Sequence, residues 1–151
     1  MAGRTRRHRT ARACDAMEAR FLLDTNICIH IRRRRPPEVL ARFQRLRPGE
    51  AVISVITYGE IAYSVEKSQF REQASKQLAE LAGLLPVLEL PALAGQCYGA
   101  MRAALEVRGE MIGNNDLWIA AHAKAAALTL VTNNEDEFRR IQGLKIQNWV
   151  S

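Results

Sequence analysis

Cysteine, aromatic residues and long apolar runs are all scarce in this chain. The three cysteines are Cys14, Cys28 and Cys97. They are widely spaced, odd in number and form no C-x-x-C pair, so neither a disulfide framework nor a zinc site is expected. A reducing cytoplasm is the expected setting. Aromatics make up only 6% of residues, so aliphatic side chains must fill most of the core. No run approaches the ~20 apolar residues of a membrane span, and none suits a secretory signal. There is no internal repeat.

The 151 residues favour one domain, and a chain of this size can bury roughly 70% of its unfolded surface. The formal net charge is +6. Residues 1–16, "MAGRTRRHRTARACDA", hold five Arg against one Asp and so carry most of it. That stretch has no apolar periodicity and reads as a disordered basic extension, either an arm or the product of a misassigned start codon. The domain is expected over residues 17–151.

From Arg20 onward, strand-like and helix-like patterns alternate. "RFLLDT", "AVISVI", "PVLEL", "LTLVT" and "LKIQNW" read as strands. Helices are expected over "NICIHIRR", capped by Thr25 or Asn26, and over "PEVLARFQRL". Further helices are expected in "TYGEIAYSVEKS", capped by Thr57, in "FREQASKQLAELAGLL", and between Pro91 and Gly109. The last two are "NNDLWIAAHAKAAA", with an Asn cap, and a short one in "NNEDEFRRI". Alternation of this kind predicts a mainly parallel sheet covered on both faces. Functional groups then gather beyond the carboxyl ends of the strands.

Four polar points fall there. Asp24 ends "FLLD", Glu60 lies in the first turn of the helix after "VISVI", Asp116 opens an apolar helix, and Asn133 and Asn134 follow "LTLVT". Singly, Asp116 is a favourable first-turn acid, Thr57 and Glu60 form a capping box, and the Asn pair caps a helix. Asp24 is harder to explain, because an unpaired charge at the tip of a buried strand is costly. Converging carboxylates repel and raise each other's pKa. A hard cation bound by oxygen ligands, Mg²⁺ or Mn²⁺, would remove that penalty.

At these residues the chain resembles a known family. "LLDTNICI", "TYGEIAYSVEKS", "GNNDLWIAAHAKAAALTLVTNN" and the closing "IQGLKIQNW" are similar to PIN-domain ribonucleases, and among them to VapC-type toxins of type II toxin–antitoxin systems. The blocks cover residues 17–150 in order, with 36 positions from Asp24 to Glu60 and 56 from Glu60 to Asp116. The resemblance implies a three-layer α/β/α sandwich and a Mg²⁺-dependent endoribonuclease, with Mn²⁺ as a substitute and tRNA among the family's substrates. It maps metal ligands onto Asp24, Glu60 and Asp116. A fourth site position falls on Asn134, beside Thr132; Asn in place of Asp argues for orienting water rather than binding metal directly. It also implies a small VapB-like antitoxin partner, contact with DNA only through that antitoxin, a homodimer, and a bacterial cytoplasmic setting.

Other groups compete for roles. Glu135, Asp136 and Glu137 read as a solvated face. His122 lies about 120° around the helix from Asp116 and reads as a core histidine. Arg32, Arg33, Arg34 and Arg35 are either a solvated helix end or a phosphate clamp at the mouth of the site, which Arg42 and Arg45 could extend. The alternative functions are an inactive RNA-binding PIN-like module and a phosphatase with a nucleophilic Asp. The latter is disfavoured because Asn26 stands where such enzymes carry a second Asp.

Overall fold

The computed structural model describes residues 18–150. The basic extension expected over residues 1–16 lies outside them. The chain runs β1 (Phe21–Leu23), α1 (Thr25–Arg33), α2 (Pro37–Gln44), β2 (Ala51–Ser54), α3 (Val55–Lys67), α4 (Arg71–Leu84) and β3 (Val87–Leu88). It continues through α5 (Ala92–Arg108), α6 (Asn114–Ala125), β4 (Thr129–Val131), α7 (Glu135–Phe138) and β5 (Ile146–Gln147).

The five strands form one sheet in the order β3-β2-β1-β4-β5. Every ladder is parallel, with Phe21 opposite both Ala51 and Thr129. Side chains on a strand alternate between faces. Leu22 therefore packs with Leu105, Leu117, Ala121 and Phe138 of α5, α6 and α7. Its neighbours Phe21 and Leu23 pack with Ile27, Val39, Ile61 and Leu81 of α1–α4. A buried strand between two helical layers is the expected three-layer sandwich. Leu22, Leu23, Val52 and Ile53 are fully buried, which is why their segments read as apolar runs. Among the described residues no helix is long and apolar enough to cross a membrane.

The boundaries differ from expectation at three helix starts. The first is α3, which begins at Val55, inside the predicted strand. Its cap is Ser54, whose hydroxyl accepts from the Ile56 N–H at 3.1 Å. Thr57 is buried within the helix, with no hydrogen-bond partner for its hydroxyl among the described residues. No Thr57–Glu60 capping box forms, and Glu60 sits in the second turn rather than the first. The second is α1, which is capped by Asp24, not Thr25 or Asn26. The third is α6, where Gly113 holds the cap position without a side-chain bond and Asn114 is already helical. The limits of α5 are as expected, from Pro91 to Gly109, whose φ of 65° suits a residue without a Cβ.

From β1 the chain builds β2 and β3 on one side, then returns to add β4 and β5 on the other. Strand order therefore reverses between β1 and β4. Parallel sheets of this kind open a crevice beyond the carboxyl ends of such strands. Asp24 and Thr132 stand at that point, one at the end of each strand.

Candidate active site

Asp24 continues β1 by donating its N–H to the Val131 carbonyl at 3.0 Å. Its Oδ1 accepts from the Ile27 N–H at 3.0 Å, closing the first turn of α1. The residue is 5% exposed. Burial raises its pKa above the ordinary carboxylate value, and the nearby Glu60 charge adds to that. The Thr132 hydroxyl and the Ile27 N–H act the other way by hydrogen bonding to the charged form. Thr132 is itself fully buried, and its Oγ1 accepts from the Asn134 N–H at 2.9 Å. That leaves the hydroxyl proton for Asp24.

Glu60 reaches the same edge from α3. Its Oε1 accepts from the Thr25 hydroxyl at 2.9 Å, so the residue after Asp24 holds the second acid in place. Asp116 comes from the first turn of α6 and is half-buried. Its pKa is pushed up to about 7. Burial is the largest cause, followed by the charge of Glu137 and a hydrogen bond with it, then by Glu60 and Asp24.

Glu137 is a correction to the sequence reading, which assigned it to a solvated face. Its Oε1 accepts from the Gly113 N–H at 3.1 Å, and its Oε2 accepts from the Asn134 amide. It leans from α7 onto the start of α6 and joins the acidic group. Asn134 is thereby occupied with Glu137 through its side chain and with Thr132 through its backbone. Of the other two acids of α7, Asp136 is exposed, whereas Glu135 is half-buried and bonds Asn148 and Arg139.

His122 stands apart. Its Nδ1 lies 2.8 Å from the Ser54 hydroxyl, and it is 1% exposed. Burial pushes its pKa down to about 4, so it is neutral at pH 7. It pins α6 to the end of β2, as a core histidine would.

The basic run is not at the mouth of the site. A crossover from β1 to the parallel strand β2 must return to the amino edge of the sheet. Arg34 caps the far end of α1, ten residues beyond Asp24, which is roughly 15 Å at 1.5 Å per residue. Arg32, Arg33 and Arg35 share that end. Arg42 instead bonds Gln147 at 3.2 Å and lies over the Trp149 ring.

The donors gathered at the carboxyl edge are all oxygens, and burial together with their mutual repulsion leaves Asp116 only about half ionised at neutral pH. This suits a hard divalent cation, which restores the charged forms. The group is open rather than a closed cage: among the described residues, no three carboxylates are set around a single ion position.

The model of the PIN domain matches residues 21–144, from β1 to just beyond α7. This chain belongs to the PIN-domain family. Asp24, Glu60, Asp116, Thr132, Asn134 and Glu137 all fall inside the matched PIN domain. The curated protein "Ribonuclease VapC2" of Haemophilus influenzae is 38% identical over 131 residues, covering 87% of this chain and 98% of that one. The "tRNA(fMet)-specific endonuclease VapC" of Shigella flexneri is 38% identical over 130 residues, covering 86% and 98%. Among solved structures, VapBC2 of Rickettsia felis bound to a promoter DNA fragment superposes on this PIN domain with a TM-score of 0.79. There the identity is 38%, with 85% of this chain and 98% of that one covered. The likeness therefore extends over nearly the whole of each relative.

Proposed function

We infer that this PIN domain is a VapC-type endoribonuclease, the toxin of a toxin–antitoxin pair. The relatives at 38% identity bear ribonuclease names over nearly their full length. The observation that carries the reading here is the convergence of Asp24, Glu60 and Asp116 at the strand-order reversal, with Asp116 pushed up to about 7. PIN-domain ribonucleases depend on a divalent metal. We assign Mg²⁺ to this one, with Mn²⁺ as a substitute. Asp24, Asp116 and Glu60 would hold it, and the bound ion would supply phosphoryl polarisation and an activated water.

The chain's own groups then have distinct tasks. Asp24 is fixed on both sides, by the strand and by the α1 cap. Thr25 orients Glu60. Thr132 donates to Asp24 and accepts from Asn134, which keeps the β4 end against the site. Asp116, crowded by Glu137, stays partly protonated near neutral pH when no cation is present, and loses that proton when positive charge arrives. Asn134 acts by orienting Glu137 rather than as a ligand. The substrate is RNA, with tRNA as the leading class.

The partner proposed is a VapB-like antitoxin that sets a basic side chain against the acidic edge. DNA is engaged only through that partner. The toxin is proposed to be a homodimer acting in the bacterial cytoplasm.

Induction of the wild-type and Asp24→Asn chains in a bacterial host, with RNA ends mapped, tests the reading. Growth arrest and discrete cleavage are expected of the wild type alone, with cleavage in vitro requiring Mg²⁺ or Mn²⁺. Equal toxicity of the variant would refute the metal-nuclease mechanism.

A further inference from the structure

Beside the acidic group lies a cleft of about 700 Å³ between α3 and the start of α6. Thr25 and Glu60 belong to both the cleft and the acidic group, so the two are continuous. The remaining walls are Val55, Ile56, Gly59, Tyr63, Ser64 and Asn115. On α3 the positions 56, 59, 60, 63 and 64 are spaced to form one helix face.

Three properties of this cleft are not explained by folding. Tyr63 is 60% exposed and Val55 40% exposed, although both are large and apolar. Gly59 lies in the interior of a helix, where glycine is less favourable than alanine. A Cβ there would meet nothing within 4 Å, so no neighbour within the protein requires its absence. The cleft also contains no lysine or arginine, and its one charged wall residue is Glu60. Such a surface repels a phosphate and accepts a flat, neutral, partly apolar group.

We propose that this cleft is a base-binding subsite for the nucleotide next to the scissile phosphate, with Tyr63 as its stacking platform and Asn115 as its edge reader. The proposal rests on the ribonuclease reading above. Exposed aromatic rings beside a phosphodiester site stack on bases. The Lys67 ammonium lies 5.1 Å from the Tyr63 ring centroid and steadies one face of it. The bare backbone at Gly59 lets the base approach the helix. Asn115 is exposed at the opposite wall, and its amide offers both donor and acceptor to a base edge. The Ser64 hydroxyl donates to the Glu60 carbonyl at 3.2 Å and keeps its lone pairs as acceptors. The subsite therefore discriminates by base, and the acidic group beside it cuts.

The test uses the full chain and a randomised single-stranded RNA pool, with Mg²⁺ and sequencing of the cleaved ends. The wild type should show a base preference at one position flanking the cut. Tyr63→Ala and Asn115→Ala should lose that preference. Tyr63→Ala should also raise KM roughly 5- to 100-fold, whereas Tyr63→Phe should behave as wild type. Mn²⁺ affinity should be the same in all four proteins. A second readout omits cleavage: RNA retained by the Asp24→Asn protein is sequenced with and without Tyr63→Ala. Base-selective binding without any cleavage by the wild type would refute the nuclease reading and leave the subsite standing. Cleavage with the same preference and KM in Tyr63→Ala would overturn the subsite. So would a Tyr63→Ala protein that changes only its oligomeric state, since the ring would then be a protein contact.

Discussion

The Thr25 hydroxyl donates to Glu60 Oε1 across 2.9 Å, joining the first residue of α1 to the second turn of α3. The bond sets where the Glu60 carboxylate can point. Groups that orient ligands in this way typically change metal affinity or activity by 10- to 100-fold when removed. Thr25→Val should therefore weaken Mn²⁺ binding about 10-fold by calorimetry, with the far-ultraviolet circular dichroism unchanged. Affinity equal to wild type would show that Glu60 is positioned without Thr25.

Asp24 caps α1 and is also proposed to hold the metal, and substitution separates the two. Asparagine caps a helix about as well as aspartate, while alanine costs about 0.5–2 kcal/mol. Both Asp24→Asn and Asp24→Ala should abolish cleavage. Asp24→Ala alone should also lose stability, with Tm lower by roughly 2–4 °C per kcal/mol lost. Thermal scans of the two variants in parallel provide the check.

Asp116 makes the metal-free protein less stable at neutral pH. Its folded pKa of about 7 lies above the ordinary 3.8. Between these values the folded chain holds a proton that the unfolded chain has released. The contribution of this group to stability therefore rises as pH falls through about 7 and levels off below about 4. Asp116→Asn should raise the Tm of the metal-free protein at about pH 8, by roughly 2–4 °C for each kcal/mol gained, and should eliminate cleavage. In the wild type, Mn²⁺ should bind more tightly at about pH 8 than at about pH 6, because cation and proton compete for the same carboxylates.

His122 has the opposite sign. Its folded pKa of about 4 lies below the ordinary 6.5. As pH falls between those values the unfolded chain takes up a proton that the folded chain refuses, and stability is lost. The full loss is about 3–4 kcal/mol, at about 1.4 kcal/mol per pKa unit. His122→Gln should flatten acid unfolding, followed by urea titration, between about pH 6.5 and about pH 4. An unchanged acid limb would show that His122 is accessible to protons in the folded chain.

Local patterns in the sequence reveal part of this site. Asp24, Glu60 and Asp116 are legible because each interrupts or adjoins an apolar run, and the alternation of strands and helices predicts the shared sheet edge. Glu137 is not legible. Its partner Gly113 lies 24 residues earlier, and its helix is four residues long, too short to display a face. The start of α3 is hidden for another reason. Val55 and Ile56 favour strands by residue type, yet the Ser54 hydroxyl and the packing of Ile61 commit them to a helix. Arg32–Arg35 mislead by adjacency: closeness to Asp24 along the chain becomes distance once α1 is helical. The open positions of Tyr63 and Asn115 belong to different helices and meet only through the fold.

The double duty of Asp24 bears on how such a chain can fall silent. Asparagine there removes the charge but keeps the cap that starts α1. A lineage with that change would retain a folded, chemically inert molecule whose other surfaces are intact. It would still titrate whatever partner recognises the wild-type fold, and so act as a decoy competing with active copies. Alanine at the same position would instead weaken the fold and send the chain toward proteolysis. The difference between a decoy and a discarded protein would thus come down to whether residue 24 can still accept the Ile27 N–H.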